Sequence, residues 1–293
     1  MTRRGLALFI AMSVIWGLPY LFIRIAVGEL SPVVLVFSRT APAALILLPI
    51  ALARGEVRAL AKRWAPVLAL ATIEIAIPWF ALASAEQRIT SSLAGLLVSA
   101  VPLVGVVIAT GLGNREHLGL SSLSGLLLGL AGVAAIVGFD LRASDWTALL
   151  EMGIVVVCYA VGPVILSRYL SDMPSVGVIA VCLTLSALAY VPLAATHLPR
   201  SMPGTSVIGS VAVLAVVCTA LAFLLFFALI VEIGPVRATV ITYINPAVAA
   251  ALGAIVLHES FSAGMAVGFV LIIAGSTLAT RQRAPAAVAS QPS

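Results

Sequence analysis

One carboxylate and two guanidinium groups sit inside apolar runs. Glu74 lies in LATIEIAIPWF, Arg24 in PYLFIRIAV and Arg39 in LVFSRTAP. A charge at the centre of a bilayer costs about 2.5–3.5 kcal/mol on insertion scales, so each needs a wet cavity or a partner. Glu74 could bind an amine, take up a proton, or form a structural pair with Arg24 or Arg39. Arg24, near the end of its run, can snorkel. Arg39 is deeper, and Glu29 and Glu86 are the carboxylates nearest to it. Coupling or gating is the expectation for Glu74, Arg24 and Arg39.

Pro78, four residues after Glu74, removes the hydrogen bond that the Glu74 carbonyl would accept in a helix. Trp79 follows. Trp16, Tyr20, Tyr159 and Tyr243 are further aromatics inside apolar runs. Trp16 and Tyr20, four apart, share a helix face. Aromatic walls suit apolar or cationic ligands. Pro102 and Pro246 interrupt two runs, with Ser99, Thr242 and Asn245 just upstream. Broken helices expose backbone groups, and the Asn245 amide needs several partners. The expected substrate contacts are therefore Trp16, Tyr20, Glu74, Trp79, Ser99, Tyr159, Tyr243 and Asn245, with helix breaks at Pro78, Pro102 and Pro246.

The elements that position these residues follow from composition. Hydrophobic residues make up 62% of the 293-residue chain and charged residues 9%. Soluble domains carry about 25% charged residues, so the bilayer must be part of the solvent. Apolar stretches fall at 5–27, 32–53, 64–84, 91–112, 120–139, 147–168, 174–195, 206–231, 235–257 and 263–280. The expected fold is all-α, with ten transmembrane helices. The run after Arg3 and Arg4 reads as a retained first helix rather than a signal peptide, and 282–293 as a disordered cytoplasmic tail. Trp64 and Trp146, at span ends, read as interfacial belt residues.

With the N-terminus in the cytoplasm, inside segments hold eleven Lys and Arg residues against three outside, Arg88, Arg142 and Arg200. The positive-inside rule then places both termini in the cytoplasm of a bacterial inner membrane.

The chain also repeats itself. At a shift of 143 residues Glu116 falls on Glu259, Gly125 on Gly268, Leu128 on Leu271, Ala131 on Ala274 and Gly132 on Gly275. Pro102 and Pro246 match at 144. Five helices per half is an odd number, so the halves, 1–143 and 144–281, cross in opposite senses. That is an inverted repeat, the architecture of alternating access around a midplane site. The Gly-spaced faces of the fifth and tenth spans read as close helix packing, and Glu116 and Glu259 as helix caps.

Trp16-Gly17 with Arg24, Ser31-Pro32 with Arg39, Pro102, Arg115-Glu116, Tyr159, Pro246 and His258-Glu259 stand in this order along residues 5–280. The pattern resembles the drug/metabolite transporters of the EamA type. The Gly-Glu pairs common before the fifth and tenth spans of that family are replaced here by Arg115-Glu116 and His258-Glu259. The resemblance implies transport of small metabolites, a cavity lined by spans 1, 3, 4, 6, 8 and 9, and support from spans 5 and 10.

The expected function is secondary transport, as an exporter of amino acids, amines or drugs. A facilitative exchanger or uptake carrier, or a non-transporting scaffold, is the alternative. An enzyme is not expected: HExxH, GxSxG and a Walker A loop are missing from the sequence. No cofactor or metal is expected, and Cys158, Cys182 and Cys218 read as small buried residues. The expected partners are a small-molecule substrate, the lipid bilayer and protons, in a monomer or homodimer. No basic run suits nucleic acid.

Overall fold

The computed structural model describes residues 2–111, 120–140, 145–234, 238 and 240–280. Arg115, Glu116, Arg142, Pro235, Arg237 and the 282–293 tail lie outside them. Regular structure in the described residues is helical.

The first stretch is α1 (Arg3–Ile15) and α2 (Leu18–Ala26), split by a turn at Trp16-Gly17. Next come α3 (Pro32–Ala53) and α4 (Val57–Leu60). A 3-10 turn (Ala61–Arg63), α5 (Trp64–Leu70), a π-helix (Ala71–Ala76) and α6 (Ile77–Ala85) follow as one long stretch. Then come α7 (Ser91–Val98), α8 (Val101–Gly111), α9 (Leu120–Asp140), α10 (Trp146–Tyr169) and α11 (Ser175–Thr196). A second π-helix (Val213–Leu221) joins α12 (Thr205–Ala212) to α13 (Ala222–Ile233). The last helices are α14 (Ile241–Val256) and α15 (Ala263–Thr280).

Seven of these stretches are long and apolar enough to cross a bilayer, and three shorter apolar helices accompany them, Leu123–Ala135, Ile241–Val256 and Ala263–Leu278. Leu45, Leu150, Val231 and Ile255 turn 71–87% of their surface outward. Such faces need lipid as their solvent. Trp64 and Trp146 are each 68% exposed at the ends of their stretches, positions suited to an interfacial belt.

The weakest sequence signal for a helix end, at Gly234, is a sharp stop. Gly234 has φ 85°, a conformation that only glycine adopts without strain. The two matched prolines behave differently. Pro102 stands at the start of α8, just after a turn at Ser99-Ala100, whereas Pro246 lies inside the unbroken helix α14. The expected interruption at Pro246 is therefore corrected. The break in the first stretch, at Trp16-Gly17, was not expected.

Glycines set the closest helix approaches. A Cβ on Gly132 would stand 2.7 Å from the Gly268 carbonyl, and one on Gly275 would stand 2.6 Å from the Gly125 carbonyl. These contacts lock α9 against α15, backbone to backbone. Gly95 faces the Ala249 methyl group, joining α7 to α14. Three cores of buried apolar side chains fill the remaining space.

Candidate functional site

The surroundings of Glu74 begin with Pro78. A proline there has no N–H, so a regular turn would leave the Glu74 carbonyl bare. The chain widens instead, and the Ile77 N–H reaches back to the Thr72 carbonyl. α11 supplies three donors along one face. Cys182 Sγ donates to Val67 O at 3.5 Å, Ser186 Oγ to Ala71 O at 3.2 Å and Tyr190 Oη to Ala76 O at 2.9 Å. The donors are spaced four and four, the acceptors four and five. The extra residue is the π-turn, a feature that frequently marks functional sites.

This turn lays the Glu74 carboxylate on α10 at Gly162, where a Cβ would overlap Oε2. Oε2 is buried without a hydrogen-bond partner among the described residues. Cys158, Tyr159 and Cys182 lie within its electrostatic reach. Among the described residues, no ion pair joins Glu74 to Arg24 or Arg39.

Arg39, 7% exposed, is held elsewhere. Its Nε donates to Thr219 Oγ1 at 2.9 Å. Its guanidinium lies 3.7 Å over the centroid of the Trp79 ring. Thr219 in turn donates to Leu214 O at 2.8 Å, five residues back in the second π-helix. Tyr159 neighbours both Arg39 and Glu74. Arg24 Nη1 donates to the backbone carbonyl of Glu86. Arg39 does not take Glu29 or Glu86, the carboxylates expected as its partners, among the described residues.

The other expected contacts divide. Trp16 packs on Phe226 and Phe223, ring centroids 4.6 and 5.9 Å away. Tyr20 is buried beside Arg39 and Glu86. Ser99 donates to Leu96 O, a carbonyl at the break between α7 and α8. The Asn245 amide, turned so that its nitrogen donates, reaches Ser13 O at 3.0 Å and Ile241 O at 2.9 Å. It thereby straps α14 to the break after α1, where a Cβ on Gly17 would stand 2.6 Å from Val248. Tyr243, half-buried, stands in the first turn of α14. The structure thus brings Trp79, Tyr159 and Tyr20 to Arg39, with Tyr159 also neighbouring Glu74, while Ser99 and Asn245 serve the helix breaks instead. Thr219, Gly162 and Phe223 were missed. Thr219 carried a faint signal, as a hydroxyl in the apolar run VLAVVCTALAF.

The EamA-like transporter profile matches residues 3–138 and again 146–281. The chain belongs to the EamA-like transporter family. It is 28% identical over 253 residues to the inner membrane transporter YedA of Escherichia coli K12, covering 84% of this chain and 80% of that one. It is 28% identical over 290 residues to the transporter YvbV of Bacillus subtilis 168, covering 97% and 94%. A solved crystal structure superposes with a TM-score of 0.67 at 21% identity, covering 96% of this chain and 97% of the other. The protein is a membrane transporter.

One end of this EamA-like transporter is tied by carboxylates. Glu259, in the turn between α14 and α15, does not cap its own helix. It accepts the Ser91 N–H at 2.8 Å and the Ser92 N–H at 2.9 Å, and both serine hydroxyls. Thr90 takes the third first-turn donor, Leu93 N–H, at 3.2 Å. The N-terminus of α7 is thus satisfied. Gly253 leaves room for the Glu259 carboxylate. Glu29 accepts the Gly204 N–H at 2.7 Å at the start of α12. Arg88 bridges Asp145 at 3.2 Å and also Glu151. The Thr147 N–H, with help from Arg88, holds the Asp145 carboxyl below its ordinary value.

Glu86 is the exception at this end. It is fully buried, and neither carboxylate oxygen has a hydrogen-bond partner among the described residues. Burial and nearby Glu259 push its carboxyl well above its ordinary value, against the pull of Arg24 and Arg39. At the opposite end, Arg63 meets Asp172 at 3.4 Å, and Thr2 donates to Glu232 at 2.5 Å.

Proposed function

We propose that this chain is a secondary transporter that exports small metabolites, such as amino acids, amines or drugs, by alternating access. Its working parts are two inverted repeats of five helices, 1–143 and 144–281, in a bacterial inner membrane with both termini cytoplasmic.

The helix pairing carries the reading. Number the ten apolar stretches in order and exchange each with the one five places on. The contacts α9–α15, α3–α11 and α7–α14 then map onto themselves. The α6–α10 contact maps onto α12–α2, and the contact of α3 with the second π-helix maps onto that of α11 with the first. The π-helices at Ala71–Ala76 and Val213–Leu221 overlap at the 143-residue shift. Loop contacts also agree with alternating crossings. Glu29–Gly204, Arg88–Asp145 and Ser91–Glu259 join segments expected outside, while Arg63–Asp172 and Thr2–Glu232 join segments expected inside.

Two halves related in this way can tilt either way at similar energy, opening a central site to each face in turn. In this reading Glu74 binds the substrate amine or carries a proton, and Trp79 and Tyr159 form an aromatic wall. Arg39 acts as a gate between α3 and the second π-helix. Trp16 and Tyr20 extend the wall, while Asn245, Ser99, Pro78 and Pro102 hold the broken helices.

The test is reconstitution into liposomes with a panel of amino acids, amines and aromatic cations, with and without a pH gradient. Flux of at least one compound, faster with the gradient, is expected. Flux that ignores the gradient would favour facilitated exchange, and no flux of any compound would sink the transport reading.

A further inference from the structure

The described residues hold two buried groups whose charges would satisfy each other, yet they are not joined. Glu86 closes α6 with both carboxylate oxygens free of partners and no exposed surface. Arg39 is almost as deeply buried, and its one hydrogen bond among the described residues is Nε to Thr219. Its guanidinium carbon lies over the Trp79 ring, and no ion pair among the described residues joins it to an acid. The two residues lie within electrostatic reach of each other.

A bare carboxylate in so enclosed a place would be far costlier than a protonated one. Among the described residues, none of the groups facing it bonds to its carboxylate. Tyr20 and Arg24 approach from α2, Arg39 from α3 and Glu259 from the turn after α14. Arg24 spends Nη1 on the Glu86 backbone carbonyl. Glu259 is held by Ser91 and Ser92. Arg88, two residues along the chain, is engaged by Asp145 and Glu151.

We propose that Glu86 is a proton-binding site whose occupancy sets the position of Arg39. With the proton on, Glu86 is neutral and Arg39 stays on Trp79 and Thr219. When the proton leaves for water, the O–H bond breaks and its electron pair stays on the carboxylate. Arg39 then gives up its Thr219 bond and its place over Trp79 and pairs with Glu86 through its guanidinium fork. That exchange loosens α3 from the second π-helix, a contact between the two halves. As a coupling device the site rests on the transport reading; as a titrating pair it does not.

The test reads Trp79 directly, without any substrate. In a Trp16→Phe, Trp64→Phe, Trp146→Phe background, Trp79 is the sole tryptophan, and its emission is followed in detergent from about pH 5 to about pH 10. A sigmoidal change is expected, as the stacked cation leaves the ring. Glu86→Gln, which mimics the protonated acid in size, should abolish it, Glu86→Asp should shift its midpoint, and Glu74→Gln should leave it in place. The infrared difference between the parent and Glu86→Gln should show a protonated carboxylic acid band that disappears over the same pH range. Emission that titrates unchanged in Glu86→Gln, or no protonated-acid band, would overturn the proposal. A titration that follows Glu86 in a protein showing no flux would instead count against transport and leave the site standing.

Discussion

The guanidinium of Arg39 lies over the ring of Trp79, 3.7 Å from its centroid, while its Nε donates to Thr219. A cation on α3 is thereby shared between α6 and the second π-helix, one from each half of the chain. Such a stack contributes about 0.5–2 kcal/mol, more when desolvated. Lysine keeps the charge but neither the planar guanidinium nor the Nε donor. Arg39→Lys is expected to slow transport by roughly tenfold, about 1.4 kcal/mol in the barrier, while leaving the protein folded. Trp79→Phe, with a weaker ring, should have a smaller effect in the same direction. Initial rates in liposomes decide it; a Lys variant at the parent rate would remove Arg39 from the gate.

Glu74 and Gly162 should be coupled. A methyl group on Gly162 would occupy the space of Glu74 Oε2. Gly162→Ala is expected to lower stability by about 1–3 kcal/mol, the usual cost of overpacking, and to reduce transport. In a Glu74→Ala background the same glycine change should cost little, because the clashing carboxylate is gone. Melting temperatures of the four proteins of this cycle measure the coupling, and additive changes would contradict the contact.

Glu74 itself is tested by charge. Glu74→Gln keeps its size and removes its proton-binding and cation-binding capacity. Transport of cationic or amine substrates should fall at least tenfold, about 1.4 kcal/mol, and any dependence on the pH gradient should weaken. Unchanged flux with an unchanged pH profile would make Glu74 a structural residue.

Removing the Glu259 carboxylate strips the α7 N-terminus of its acceptors. Glu259→Ala should cost about 1–3 kcal/mol through unsatisfied buried donors. Glu259→Gln, which keeps one acceptor oxygen, should cost less. Thermal unfolding in detergent ranks the two; a Gln variant as unstable as Ala would mean that charge alone matters.

Glu86 makes a prediction about stability and pH. Its folded carboxyl titrates well above its ordinary value of 4.5 because it is buried beside Glu259. Above that ordinary value the unfolded chain has lost the proton that the folded chain still holds. Stability therefore falls as pH rises from about 4.5 toward the folded value, and the penalty is absent at lower pH. Glu86→Gln removes the titration. It should match the parent below that range and melt at a higher temperature than the parent at neutral pH. A difference in melting temperature that does not vary with pH would contradict this.

Part of the site was legible in the chain and part was not. Glu74, Arg39 and Trp79 stood out because charged and polar-tipped side chains are rare in apolar runs and need an explanation wherever they occur. Their partners did not stand out. Gly162 matters only because α10 crosses the π-turn there, and glycines are common in membrane helices. Thr219 matters only because the second π-helix turns its hydroxyl toward α3. Glu86 looked like an ordinary loop acid at the end of a span, and its complete burial comes from the packing around the end of α6. The pairing expected of Arg39 with Glu86 or Glu29 is not the one adopted here, since the Trp79 face and the Thr219 hydroxyl are nearer at hand.

Composition alone determined that this chain lives in lipid, because no soluble core could hide so many apolar side chains. Matched residues at a fixed shift revealed two related halves, because duplicated helices keep their small-residue faces and turn signals. Those are properties of local sequence, and they survive without coordinates. The tertiary structure decided which helices touch, and with that which polar group meets which. It placed Arg39 on Trp79, Glu259 on the start of α7 rather than on its own helix, and Asn245 on the break after α1. It also set a π-helix, supported by α11, just ahead of Pro78. Each outcome depends on a crossing between distant helices, and the hydrophobic pattern of either helix alone is compatible with many such crossings.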